Sequence, residues 1–315
     1  MLINILAILI GLFFLTFSAD WLVAGAVGLA RRMGVSPLFI GMTVIAMGTS
    51  MPELVVSVQS SINGNAGIAV GNVVGSNILN IAMILGISAL IKPIPCSRQV
   101  VRREVPVMIL VSALFWWMAF DRFVSNWESV ILLVLLVLYT TISYALARRD
   151  AIAGIPEQAL AGEVKTLWCD LGNIGMGFAG LVGGSKLLLY GAVLIAQTMG
   201  VSDEIIGLTL IAVGTSLPEL ATSVVAAWKG QPEIAIGNVV GSNMMNILAI
   251  LGISGCILPM HVSEHMAAID IPVMFFVSLG CLPIMKTGYS IVRTEGLLLL
   301  TAYLGYMYLL FLAPS

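Results

Sequence analysis

Residues 41–88 read GMTVIAMGTSMPELVVSVQSSINGNAGIAVGNVVGSNILNIAMILGIS, and residues 207–254 read GLTLIAVGTSLPELATSVVAAWKGQPEIAIGNVVGSNMMNILAILGIS. The two stretches align without a gap at a constant offset of 166 residues, and 31 of the 53 pairs from Gly41 to Pro93 are identical. Shared apolar composition does not produce identity at that level, so the chain carries an internal duplication. The match extends outward at the same offset. Met33-Gly34-Val35-Ser36 recurs as Met199-Gly200-Val201-Ser202, and Glu104-Val105-Pro106-Val107-Met108 recurs as Asp270-Ile271-Pro272-Val273-Met274.

The surroundings of this repeat are apolar throughout. Of 315 residues, 59% are hydrophobic and only 10% charged, with a mean hydropathy of +1.06, too little polar surface to cover a water-soluble globule. Windows of about 20 apolar residues, the length that crosses a bilayer, predict ten spans near 2–30, 38–62, 70–91, 105–120, 127–147, 170–197, 205–228, 234–258, 268–286 and 293–312. The first has no basic leader or small-residue cleavage site, so it counts as a span. With the N-terminus outside, twelve of the fourteen Lys and Arg residues fall in cytoplasmic loops and only Arg122 in an outer one, as the positive-inside rule requires. Lys186 lies within the sixth span. Each repeat then holds an odd number of spans, so the halves insert with opposite orientation. The expected fold is an all-α integral membrane protein of ten transmembrane helices in two inverted five-helix repeats, 1–147 and 169–315. A short cytoplasmic connection, 148–168, joins them, and both termini lie on the outer face. Inverted repeats of this kind are a transporter architecture with a site near the midplane.

Composition also narrows function. The formal net charge is -2, with no basic stripe to follow a phosphate backbone, so nucleic acid is not an expected partner. Cys96, Cys169, Cys256 and Cys281 have no metal-type or redox-type spacing and read as free thiols. An intramembrane protease would want Ser with His, or paired Asp, within the spans. His261 and His265 fall in an outer loop beside Glu264, a solvated setting, so no enzyme is expected.

The chemistry sits in two carboxylates. Glu53 and Glu219 follow Pro52 and Pro218 deep in apolar sequence, where an acidic side chain costs at least about 2.5–3.5 kcal/mol and is functional by default. Each proline removes an amide and clashes with the preceding turn. Kinks are therefore predicted, freeing carbonyls near Ala46–Gly48 and Ala212–Gly214. Thr49, Glu53 and Ser57 recur at helical spacing with Ser50 alongside, and Thr215, Glu219, Ser223 and Ser216 repeat the set. Asn72, Ser76 and Asn80 form a second stripe, matched by Asn238, Ser242 and Asn246. Small residues such as Gly71, Gly75 and Ser76 also mark close helix packing, and Asn80 and Asn246 also suit hydrogen bonding between helices. Two carboxylates among hydroxyl, amide and carbonyl oxygens suit a hard cation with six to eight oxygen ligands, as Ca2+ prefers.

The paired GTSxPE motifs at Gly48–Glu53 and Gly214–Glu219 and the paired GNxxGSN motifs at Gly71–Asn77 and Gly237–Asn243 resemble the calcium/cation antiporter superfamily. The resemblance is specifically to the prokaryotic branch of the sodium/calcium exchanger family, and it covers nearly the whole chain. It implies ion ligands at Ala46 (carbonyl), Thr49, Ser50, Glu53, Ser76 and Asn80, and at Ala212 (carbonyl), Thr215, Ser216, Glu219, Ser242 and Asn246. It also implies Na+/Ca2+ antiport with Ca2+ extrusion driven by Na+, in a plasma membrane. No cofactor is implied beyond the transported ions, and the working unit is a monomer. The first and sixth spans would slide past the other eight. Some relatives carry aspartate where this chain has Asn246, so K+-independence is expected. Lys186 stands where relatives often have an acidic or neutral residue. The alternative is H+-coupled Ca2+ exchange through the same carboxylates, since buried glutamates can hold protons.

Overall fold

The computed structural model describes residues 2–152, 166–199 and 212–312. The expected beginning of the seventh span and the middle of the connection between the halves lie outside them. The described residues form helices α1 (Leu2–Met33), α2 (Pro37–Thr49), α3 (Met51–Ile62), α4 (Ala66–Ile91), α5 (Val100–Asp121), α6 (Asn126–Ile152), α7 (Leu167–Thr198), α8 (Ala212–Thr215), α9 (Leu217–Trp228), α10 (Pro232–Ile257), α11 (Met266–Lys286) and α12 (Arg293–Leu312). Seven are long and apolar enough to cross a membrane, and α2 with α3, bent by 47°, make an eighth. The helices extend several residues beyond most of the apolar windows, because helical hydrogen bonding continues past the apolar stretch into the loops.

Two features of the backbone were not legible as periodicity. Four two-residue strands, β1 (Ile94–Pro95), β2 (Phe123–Val124), β3 (Met260–His261) and β4 (Ser290–Ile291), tie the halves together. β1 pairs with β4 at the end bearing most basic residues, and β2 pairs with β3 at the other. Short π-helical turns interrupt α2, α4, α5, α10 and α11, among them Leu79–Ile84, which opens with Leu79 and Asn80, and Asn246–Leu251, which opens with Asn246. An extra residue per turn re-aims the side chains at such a bulge, and π-bulges concentrate at functional sites.

Packing sorts the helices into a centre and a flank. In α10, 94% of the apolar window is buried, against 28% in α1 and 22% in α7. The helices α1 and α7 lie against each other along their length, backbone on backbone. A Cβ on Gly177 would stand 2.8 Å from the Cβ of Leu22, and one on Gly11 would stand 2.7 Å from the amide nitrogen of Leu188, the small-residue packing that membrane helices favour. Their outward faces carry exposed Leu9, Phe13, Phe17 and Tyr190, side chains suited to lipid rather than water. At the basic end α1 is pinned by an ion pair between Asp20 and Lys229, and α1 meets α7 through Arg32 and Asp170 at 3.5 Å. Lys186 is exposed on the outside of α7, away from the centre. All four cysteines are free, Cys96 and Cys281 buried, Cys169 and Cys256 exposed.

Candidate ion-binding site

The proline kinks appear as full breaks. Ser50 leaves the helical region at φ −80°, ψ 6°, and Ser216 does the same at φ −92°, ψ 8°. Pro52 and Pro218 then sit in the first turns of α3 and α9, where a missing amide costs nothing because no earlier carbonyl awaits it. Glu53 and Glu219 consequently fall in those same first turns, at the positive ends of two helix dipoles. The broken helix is thus the device that holds a carboxylate inside the protein. One expected carbonyl is engaged: Ala46 O accepts the Ser50 amide at 3.0 Å and lies 3.4 Å from the Thr49 hydroxyl oxygen. The other, Ala212, lies in α8, so its backbone is placed at the corresponding break.

The two halves interlock through these breaks. Ser50 Oγ donates to Glu219 Oε1 at 3.0 Å, and Ser216 Oγ donates to Glu53 Oε1 at 2.8 Å. Ser216 Oγ also lies 3.3 Å from Ser76 Oγ, and Thr49 Oγ1 donates to Asn238 Oδ1 at 3.0 Å. Both glutamates are 1% exposed. Ser57 and Ser223 do not join the cluster. Asn72 Nδ2 donates to Ser57 Oγ (2.9 Å) and to the Glu53 carbonyl (3.1 Å), and Asn238 Nδ2 donates to Ser223 Oγ (3.0 Å) and the Glu219 carbonyl (3.2 Å). These asparagines clamp the broken helices to α4 and α10.

A third asparagine pair escaped the stripe reading. Asn77 accepts the Asn246 amide at 3.0 Å and donates to the Asn243 carbonyl at 3.4 Å. Asn243 reciprocally accepts the Asn80 amide at 3.0 Å and donates to the Asn77 carbonyl at 3.5 Å. The only available signal was their place one residue after the serine of each GNxxGSN motif. Because Asn80 and Asn246 each spend an NH2 group on these partners, each turns its Oδ1 the other way. Those two oxygens, with Glu53 Oε2, Glu219 Oε2 and Ser242 Oγ, are buried and have no hydrogen-bond partner among the described residues. Buried polar atoms are ordinarily paired, and four of these five can only accept. A set of acceptors around two carboxylates, unpartnered among the described residues, has the chemistry to hold a cation. Ser76, Ser242, Asn80 and Asn246 are each at most 5% exposed. Among the described residues no three His, Cys, Asp or Glu cluster as metal ligands, so the charge at the centre is that of two carboxylates.

The site is reached unequally from the two ends. A cavity of about 490 Å³, lined by Asn72, Gly75, Thr215, Asp270 and Tyr306 among others, lies toward the end opposite most basic loops. Asn72 and Thr215 are partly exposed, whereas their counterparts Asn238 and Thr49 are 0% and 1% exposed. At the same end His265, expected in a solvated loop, contacts Asp270 at 3.2 Å, and Glu264 pairs with Arg122 at 3.0 Å with both side chains well exposed.

Residues 3–145 and 171–312 match the family described as sodium/calcium exchanger protein. The chain is 34% identical to the sodium/calcium exchanger MaX1 of Methanosarcina acetivorans over 98% of this chain and 99% of that one. It is 37% identical to the inner membrane protein YrbG of Escherichia coli over 89% and 87%. Among solved structures, the sodium-calcium exchanger NCX_Mj soaked with Na+ and Sr2+ superimposes with a TM-score of 0.85 at 32% identity, covering 98% of both chains. This chain belongs to the sodium/calcium exchanger family and is a cation antiporter, not an enzyme, spanning the plasma membrane several times.

Proposed function

We propose that the protein is a K+-independent Na+/Ca2+ antiporter with one alternating-access site shared by both repeats. Ten helices in two inverted five-helix units, residues 1–147 and 169–315 joined by 148–168, carry it, with both termini outside and a monomer as the working unit. The observation that carries this reading is the set of unpartnered buried oxygens around Glu53 and Glu219. Ca2+ takes six to eight oxygens and needs about two charges balanced, which these carboxylates supply with the Thr, Ser and Asn oxygens, Ala46 and Ala212 completing the shell. Na+ uses the same hard oxygens with half the charge, so several Na+ and one Ca2+ compete for one cluster. That competition is the coupling. Asn246 in place of a third carboxylate leaves no surplus charge to hold K+ beside Ca2+. If more than two Na+ exchange for each Ca2+, each net charge contributes about 2.3 kcal/mol per 100 mV, so an inside-negative potential drives Ca2+ outward. The cavity beside Thr215 and the closure around Thr49 support an outward-facing state.

The test is 45Ca2+ uptake into proteoliposomes loaded with Na+, compared with choline or K+ loading, with a protonophore present. Uptake that requires internal Na+, ignores K+ and is lost in Glu53→Gln and in Glu219→Gln is expected. Uptake that follows an imposed pH gradient instead of Na+ would reassign the chain to proton-coupled exchange.

A further inference from the structure

Besides Asp170, which faces Arg32, two buried acidic residues among those described take no part in the central cluster. Glu104 and Asp270 are 166 residues apart and occupy equivalent places, each the last residue of a π-helical turn two residues before a proline. Both are buried, at 2% and 8% exposure. Their surroundings differ. Glu104 is closed in by Arg103 Nε at 2.7 Å, Gln99 Nε2 at 3.2 Å and the Tyr139 hydroxyl at 3.3 Å. Asp270 accepts the Tyr306 hydroxyl at 2.9 Å and lies 3.2 Å from His265 Nδ1, and it stands in the wall of the 490 Å³ cavity.

Within that wall Asp270 is the one acidic residue among those described, and no Lys or Arg accompanies it. Asn72 and Thr215 share the wall, and Asn72 is hydrogen-bonded to the backbone of Glu53. A single negative charge in a cleft with low-dielectric walls focuses the field and raises the local cation concentration. We propose that Asp270 draws cations from this face toward the central site; Glu104, its charge balanced by Arg103, takes no such part. Tyr306 and His265 hold the Asp270 carboxylate in the wall rather than letting it fold into the central cluster. The inference rests on the antiport reading above, which supplies the cation and its direction of movement.

Sidedness tests it. 45Ca2+ uptake is measured in Na+-loaded vesicles of both orientations, right-side-out and inverted, made from cells expressing the full chain. Asp270→Asn should raise the half-saturating Ca2+ concentration about three- to tenfold when Ca2+ meets the outer face, leaving the maximal rate within about twofold. Inverted vesicles should match wild type. Asp270→Glu should behave as wild type. Should the Asn variant fail to assemble, His265→Lys decides the matter: that side chain is 39% exposed, and a permanent positive charge there should produce the same one-sided rise. Unchanged half-saturation at the outer face in the assembled variants, or an equal rise at both faces, would overturn the proposal. Wild-type vesicles that take up no Ca2+ against Na+ would instead overturn the antiport reading, so the two failures are distinguishable.

Discussion

At the scale of single residues, the proposed site divides labour between oxygens offered to the ion and side-chain amides that aim them. Asn80 and Asn246 can offer their oxygens to the proposed cluster because Asn243 and Asn77 accept their NH2 groups. Asn77→Leu removes the acceptor of the Asn246 amide and leaves a buried donor unpaired, a cost of about 1–3 kcal/mol. Rotation of Asn246 relieves that cost by turning NH2 toward the ion, so half-saturating Ca2+ should rise by about tenfold or more, the equivalent of about 1.4 kcal/mol. Radiotracer uptake reads the affinity and thermal unfolding in detergent reads the stability. If affinity stays at the wild-type value in a folded variant, the aiming role is wrong. The glutamates, the hydroxyls and the two terminal asparagines were legible in the sequence because repetition at a fixed offset singled them out. Asn77 and Asn243 repeat equally well, yet their task depends on which side of a π-turn they face, and periodicity carries no trace of that.

At the scale of elements, equal sequences do unequal things. Gly75 and Gly241 are the same residue of the same motif. A Cβ on Gly241 would lie 2.5 Å from the Cα and carbonyl oxygen of Met42, while one on Gly75 meets nothing within 4 Å among the described residues. Overpacking against backbone costs roughly 1–3 kcal/mol. Gly241→Ala should therefore lower the unfolding temperature by several degrees, and Gly75→Ala should leave it unchanged within about 1 °C. If the halves exchange conformations during transport, Gly75 must then pack as Gly241 packs now. The folded Gly75→Ala protein is expected to lose most Na+-driven Ca2+ turnover, measured by the same uptake assay, and normal turnover would count against such an exchange. Broken helices were readable from Pro52 and Pro218. That the break places each glutamate on a new helix N-terminus, instead of on the outside of a bend, is decided by the tertiary structure.

For the whole molecule, the basic loops predict orientation and the native thiols can test it. Cys169 and Cys256 are both exposed. Cys169 sits in the first turn of α7, at the end shared with Arg32, whereas Cys256 sits near the far end of α10, beside the β2–β3 pair. In variants retaining one of the two, a membrane-impermeant maleimide added to intact cells should label Cys256 and spare Cys169, with the reverse pattern in inverted vesicles. The opposite result would turn the protein over in the membrane and exchange the assignments of the two faces. The ion pair of Asp20 with Lys229 and the close contact of α1 with α7 make these two helices a flank that is held at the basic end, which suits a pair able to shift against the centre.

The sequence by itself determined the membrane setting, the duplication and the two carboxylates with their hydroxyl neighbours. Apolar length, repetition and the cost of burying charge are properties of the chain read in order, and each leaves a mark at a fixed position. Only the tertiary structure decided that Ser50 serves Glu219 and Ser216 serves Glu53, that the amides of Asn77 and Asn243 aim the oxygens of their neighbours, and that one face of the site is open while its twin is shut. Those outcomes depend on which half packs against which. Two nearly identical segments cannot both occupy the same environment in one conformation, so the difference between them is made by packing and is absent from their letters.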